Sequence, residues 1–134
     1  MARGTILVVD DDPVVVDLLR LDFEIEGYEV LAAADGESAL EEARVKGPDV
    51  VVLDVVMPGV DGLEVARRLR AGDETGAIPI VLLSAKAQAV DIQAGRAVAD
   101  DYITKPFEPI ELLDRVAELR ARSSRGGGGR GGAR

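Results

Sequence analysis

Residues Asp49–Gly62 read DVVVLDVVMPGVDG, and this stretch decides the fold. Four apolar residues, Val50 to Leu53, run directly into Asp54, and Met57-Pro58-Gly59 then turns the backbone before a helical pattern opens at Leu63. A continuous, β-branched apolar run of this length fits a strand covered on both faces, as in a parallel sheet. In open parallel sheets, ligands and chemistry collect beyond the carboxyl ends of the strands. Asp54 is therefore a carboxylate placed for work.

The same signature recurs along the chain. Thr5 to Val9 is a short β-branched run that ends in Asp10-Asp11-Asp12-Pro13, with Asp12 as an N-cap and Pro13 in the first helical position. Val14, Leu18, Leu21 and Ile25 follow at helical spacing, which predicts an inward face, with Asp17, Arg20 and Glu24 opposite and Gly27 ending the helix. Tyr28 to Ala33 reads as a second strand, and Asp35-Gly36 leads into a helix through Leu40 and Ala43 that stops at Gly47-Pro48. Leu63, Ala66 and Leu69 mark a third helix, with Glu64 and Arg68 as an i, i+4 pair on its outer side. Ile80 to Leu83 is a buried strand ending at Ser84-Ala85. Lys86 to Ala99 is alanine-rich with a thin apolar face interrupted by Gly95, which predicts a short or mobile helix. Asp101 to Thr104 is a fifth strand, followed by Lys105-Pro106-Phe107 and a last helix with Leu112, Val116 and Leu119 inward. Strands and helices alternating in this way predict one doubly wound α/β domain with a parallel sheet and right-handed crossovers. The expected domain is 1–122, with 123–134 a disordered Gly/Arg-rich tail.

Composition narrows the chemistry. The 134 residues carry a formal net charge of −9 and contain neither cysteine nor histidine. Disulfides, thiolate metal sites, imidazole bases and histidine-bound zinc are thereby excluded, leaving carboxylates, hydroxyls and Lys/Arg. The acidic balance argues against nucleic-acid binding by the folded body, because phosphate backbones reward clustered positive charge. The apolar run near the N-terminus is too short for a signal peptide or membrane span, so the expectation is a soluble cytoplasmic protein.

Placed side by side, the strand ends gather Asp10, Asp11, Asp54, Ser84 and Lys105 at one edge. At about 5 Å and an effective dielectric near 20, two carboxylates repel by roughly 3 kcal/mol, more than one lysine offsets across three acids. A hard divalent cation suits such a site, and Mg²⁺ takes carboxylate oxygens, a backbone carbonyl, waters and a substrate phosphate.

These residues carry a resemblance. VVDDDP ending at Pro13, LDVVMPGVDG at Leu53 to Gly62, LLSAK at Leu82 to Lys86 and DDYITKPF at Asp100 to Phe107 together resemble the receiver domain of two-component response regulators. The resemblance spans residues 5 to 120 and implies the flavodoxin-like (βα)5 fold, whose known strand order is 2-1-3-4-5. It implies that Asp54 is the phosphoacceptor, fed by a histidine kinase or a phosphotransfer protein in a Mg²⁺-dependent reaction. It implies Asp10, Asp11, Asp54 and the Val56 carbonyl as metal ligands, Lys105 and Ser84 as phosphoryl partners, and the N–H groups of Val55 and Ala85 as a backbone cradle. A cis Lys105–Pro106 bond is implied as well. So is a switch in which Ser84 moves toward the phosphoryl group and Tyr102 rotates into the space left, altering the face of helix 4, strand 5 and helix 5, through which dimers can form. Catalysis would extend no further than self-phosphorylation and autodephosphorylation, without turnover of a small molecule.

Taken singly, several of these residues have ordinary readings. Asp10 to Asp12 also serve as a capping cluster, Ser84 as a backbone-satisfying strand-end serine, Lys105 as a surface lysine and Tyr102 as a half-buried aromatic. Asp61 and Asp100 read as turn or cap residues, and Arg125, Arg130 and Arg134 as linker. A phosphorylation-independent interaction module on the same fold is the alternative function. A haloacid dehalogenase-like phosphatase would need a second aspartate two residues after the nucleophile, and Val56 stands there instead. One departure from the receiver pattern is local: Val98-Ala99-Asp100 replaces Gly-Ala-Asp before strand 5, removing the glycine that would cap helix 4, and the Ser84 to Lys105 spacing is one residue short.

Overall fold

A computed structural model describes residues 3–85 and 89–125. Five strands and five helices alternate: β1 (Thr5–Val9), α1 (Pro13–Ile25), β2 (Glu29–Ala33), α2 (Gly36–Lys46), β3 (Val50–Asp54), α3 (Gly62–Ala71), β4 (Ile80–Ser84), α4 (Ala89–Val98), β5 (Asp101–Thr104) and α5 (Pro109–Arg125). The strands pair in parallel in the order β2-β1-β3-β4-β5. This is the doubly wound flavodoxin-like arrangement expected from the sequence.

Period-two alternation along the strands divides the core into two layers. Leu7, Val9, Val51, Leu53, Ile80 and Leu82 pack with Ala39 and Ala43 of α2 and Val65, Ala66 and Leu69 of α3. Ile6, Val8, Val50, Val52, Val81 and Leu83 pack with Leu19 and Phe23 of α1 and Leu112, Val116 and Leu119 of α5. Every residue of β3 and β4 is buried, which is why both read as unbroken apolar runs.

Helix starts follow side-chain chemistry. Asp12, Asp35 and Asp61 cap α1, α2 and α3, accepting from the N–H groups of Val14, Ser38 and Glu64 at 3.0, 2.8 and 3.0 Å. Gly47 ends α2 in the left-handed region at φ 57°, where a glycine carries no Cβ penalty.

Three expectations need correction. The inward face of α1 is the Leu19–Phe23 side; Val14, Leu18, Leu21 and Ile25 are 55% to 71% exposed. Helix α1 is apolar almost all round, so helical spacing alone admits two faces, and the ring of Phe23 decides between them by packing edge-on against Tyr28 at 5.9 Å. Gly95 does not interrupt α4, which runs through it to Val98. Helix α5 continues to Arg125, three residues past the expected domain boundary at 122, while residues 126–134 of the expected tail lie outside the described residues. Lys86 to Gln88, at the start of the segment expected to be a short or mobile helix, lie outside them too.

The missing glycine before β5 is replaced by a tertiary clamp. Arg70, in the last turn of α3, donates from Nε to the Val98 carbonyl at 2.9 Å and from Nη1 to the carbonyls of Gly76 and Ile78 at 3.1 and 2.8 Å. It also pairs with Asp100, whose Oδ2 accepts the Ile80 N–H at 2.7 Å. A guanidinium thus takes the helix-end carbonyl that a glycine cap would have served.

Candidate phosphoryl-transfer site

Parallel strands end together, so the topology delivers the predicted residues to one edge. Asp54 is the last residue of β3 and Ser84 the last of β4, while Asp10 follows β1 and Lys105 follows β5. Asp10 and Asp54 are buried, at 3% and 6% exposure, and Asp11 is exposed. One carboxylate oxygen from each of Asp10, Asp11 and Asp54 lies within 4.8 Å of the other two. Lys105 Nζ stands 3.4 Å from Asp10 Oδ2 and 3.6 Å from Asp54 Oδ1, bridging the two buried acids. The Lys105–Pro106 bond is cis, as the resemblance implied.

Backbone bonds fix the acids. Asp10 Oδ1 accepts the Asp12 N–H at 2.9 Å, and the Asp10 N–H donates to the Ala33 carbonyl at 3.2 Å. Asp54 Oδ1 faces the Val56 N–H at 3.4 Å. The Val55 N–H, expected in a backbone cradle, donates to the Leu83 carbonyl at 2.9 Å and so belongs to the sheet ladder, while the Val56 N–H is the one directed at the Asp54 carboxylate. Alternation of donors along an extended segment decides this, one N–H turning toward β4 and the next toward the carboxylate. Ser84 is buried, and its carbonyl accepts the Lys105 N–H at 2.7 Å, which ties the two residues together through the backbone. Ala85 follows it at the surface. Tyr102 is buried beneath α4, on the face of the sheet that holds Leu82.

Electrostatics bear the mark of this crowding. Burial holds the Asp54 carboxyl above the ordinary carboxylate range, with Asp10 and more weakly Asp11 adding to the effect and Lys105 and the Val56 N–H opposing it. The donor set is three carboxylates with no softer ligand, two of them buried. That set fits a hard, oxygen-seeking divalent cation such as Mg²⁺, which would relieve the repulsion.

Two cavities flank the acids. One, of about 400 Å³, is lined by Asp10, Asp11, Pro13, Asp17 and Ala33. The other, of about 560 Å³, lies between α1 and the start of α5 and is lined by Val15, Leu18, Leu19, Ala85, Lys105 and Phe107.

Two contributors escaped the sequence reading. Gly62 opens α3 so close to β3 that a Cβ there would overlap the Asp54 carbonyl and sit 2.7 Å from Val55 Cα. Its place at the end of the Met57–Gly62 turn motif was visible, whereas its contact with the acidic residue's backbone was not. Arg70 gave no signal at all, because most of its acceptors are backbone carbonyls, two from the loop before β4 and one from the end of α4.

A parallel five-stranded sheet in the order β2-β1-β3-β4-β5 with three acids and a lysine at its carboxyl edge makes this a doubly wound α/β module with an acidic strand-end site. The chain belongs to the response regulator receiver domain family, whose model matches residues 6–117. It is 45% identical over 119 residues to the alkaline phosphatase synthesis transcriptional regulatory protein PhoP of Bacillus subtilis, covering 88% of this chain and 49% of that protein. It is 46% identical over 120 residues to the DNA-binding response regulator MtrA of Mycolicibacterium smegmatis, covering 88% and 51%. The chain thus spans about half the length of the curated relatives it matches. Among solved structures, the Francisella response regulator 1452 receiver domain superposes with a TM-score of 0.83 at 34% identity, covering 90% of this chain and 99% of that one. The Vibrio cholerae chemotaxis protein CheY4 does so at 0.81 and 33%, covering 89% and 98%. Among the described residues no helix is long and apolar enough to cross a membrane.

Proposed function

We propose that Asp54 accepts a phosphoryl group from a phosphohistidine on a histidine kinase or phosphotransfer protein. The observation that carries the reading is the placement of Asp54, buried at the end of β3 among two further carboxylates and 3.6 Å from the Lys105 ammonium. An Asp54 carboxylate oxygen attacks phosphorus as the P–N bond to imidazole breaks, and the leaving imidazole nitrogen keeps the electron pair and takes up a proton. Water later attacks phosphorus, the O–P bond breaks, and inorganic phosphate leaves with the Asp54 carboxylate restored.

The chain's own residues supply position and charge. Lys105 neutralises a phosphoryl oxygen, with the Val56 N–H as a second donor and the Ser84 hydroxyl and Ala85 N–H toward the β4 side. Asp10, Asp11, Asp54 and the Val56 carbonyl would hold Mg²⁺, which when bound supplies positive charge against the transferring oxygens. The domain is 1–125 in this reading, and its α4–β5–α5 face carries the signal onward. Beryllofluoride, a phosphoryl mimic, is the direct test. Mg²⁺-dependent binding by the intact chain that disappears in Asp54→Ala is the expected result; no binding by the intact chain overturns the reading in favour of a phosphorylation-independent interaction module.

A further inference from the structure

Gly36 opens α2 directly after its cap, Asp35, and is buried, although the three acids and the lysine of the strand-end site all lie on other segments. A Cβ at position 36 would stand 2.8 Å from Val65 Cγ2 of α3 and 2.9 Å from both the Cβ and the carbonyl oxygen of Val60. The two Val60 atoms belong to the main chain or are fixed to it, so they cannot yield as the end of a flexible side chain would. Gly36 does not take a positive φ, so contact, and not backbone conformation, is what excludes a side chain there.

Val60 belongs to the turn that leaves β3 through Val56 and returns to α3. Two residues further on, Gly62 rests on the end of β3: a Cβ there would overlap the Asp54 carbonyl, and the Gly62 N–H donates to the Val55 carbonyl at 2.9 Å. Val60-Asp61-Gly62 is thus a short wedge, seated on α2 at one end and on the Asp54 main chain at the other. Asp61 stiffens it by accepting the Glu64 N–H at 3.0 Å. The seat on α2 is itself anchored. Asp35 accepts the Ser38 N–H at 2.8 Å, and the Ala33 carbonyl, three residues before Gly36, accepts the Asp10 N–H at 3.2 Å. A methyl at position 36 therefore moves a wedge whose far end already touches Asp54, and a close-packed interior passes such a displacement on.

We infer that Gly36 is a positioning residue of the strand-end site. The bare first turn of α2 seats Val60 and, through Gly62, fixes the Asp54 main chain and the Val56 peptide, whose N–H faces Asp54 Oδ1 at 3.4 Å. A metal ion held by the Asp54 carboxylate and the Val56 carbonyl depends on where that peptide lies. The inference rests on the proposed Mg²⁺ site only for this last consequence; the path from Gly36 to Asp54 stands on packing.

Nuclear magnetic resonance on the full, metal-free chain reads the path directly. Gly36→Ala should displace the amide resonances of Asp54 and Val56, and it should raise the Mg²⁺ dissociation constant, measured by calorimetry at constant ionic strength, several-fold. Leu119→Ala, which opens the opposite core layer, should lower the unfolding midpoint while leaving both readouts near those of the parent. A folded Gly36→Ala whose Asp54 and Val56 amides stay in place, or whose changes are matched by Leu119→Ala, overturns the inference. In Val60→Gly the Cβ that the new methyl would meet is gone, so adding Gly36→Ala should move these amides several-fold less than it does in the parent. Equal displacement in both backgrounds also overturns the inference. Should Gly36→Ala not fold, Val60→Gly alone decides: releasing the wedge from α2 should displace the same two amides, and amides left in place count against the path. Should the parent bind no Mg²⁺, the metal-site reading falls, while the amide displacements still decide on Gly36.

Discussion

Asp54 sits where burial and two neighbouring acids disfavour its charge, and Lys105 with the Val56 N–H compensates only in part. The folded protein therefore binds this proton more tightly than the unfolded chain. The stability that depends on it is fully present below the unfolded carboxyl's pKa and is lost as pH rises through the higher folded value. Asparagine has nearly the same shape and never ionises. Without divalent cations, Asp54→Asn should unfold at a higher temperature than the parent at pH 7, the gain shrinking as pH falls through the raised folded value and vanishing below about 4. Equal midpoints at pH 7 would contradict this account. The backbone behind the carboxylate is just as constrained. Gly62→Ala drives a methyl into the Asp54 carbonyl and Val55, neither of which can yield as a flexible side chain would. The expected cost is about 1–3 kcal/mol in urea unfolding, with weakened beryllofluoride binding because the carboxylate is displaced. A neutral result would mean that the turn before α3 relaxes freely.

At the scale of elements, α1 separates pattern from packing. Leu18 and Leu21 are more than half exposed, whereas Leu19 and Phe23 are buried against β1 and β2. Leu19→Ala and Phe23→Ala should each cost about 2–5 kcal/mol, and Leu18→Ala and Leu21→Ala about 0.5 kcal/mol or less. Chemical denaturation of the four variants checks this, and equal costs would return the inward face to the side first expected. The contrast also tells where the sequence was legible. Strands β3 and β4, covered on both faces, can only be written as apolar runs, so Asp54 and Ser84 at their ends stood out without a structure. Asp12 and Pro13 announced the start of α1 through chemistry local to the chain. The inner face of α1 was illegible because eight apolar residues in one helix satisfy two faces, and only the packing of Phe23 on Tyr28 selects one. Helix α4 was misread for a related reason: Gly95 looks like an interruption in one dimension, and in three it leaves room for the Tyr102 ring, whose Cε2 lies 2.6 Å from where a Cβ would stand. Arg70 bonds to carbonyls from Gly76 to Val98, and a backbone carbonyl has no letter in the sequence.

Over the whole molecule, fold and site share one electrostatic strain. A chain with a formal charge of −9 brings three of its acids to within 4.8 Å at one sheet edge, and among the described residues the only cation paired with them is Lys105. Five parallel strands converge there, so the repulsion bears on β1 and β3 and, through Lys105, on β5. A divalent ion bound by the folded state alone should stabilise the entire cooperative unit by mass action, by about 1.4 kcal/mol at ten times its dissociation constant and about 2.7 kcal/mol at a hundred times. Monovalent salt also screens a net negative charge, so the comparison must be made at constant ionic strength, with NaCl replaced stepwise by MgCl₂. Under those conditions the unfolding midpoint of the parent should rise with Mg²⁺ and that of Asp11→Asn should rise much less. Asp11 is the variant of choice because it is exposed, so its loss perturbs the core least while removing one of the three oxygens. A parent whose midpoint follows ionic strength alone, whatever the cation, would show that the acids at the strand ends are tolerated by screening and do not form a metal site.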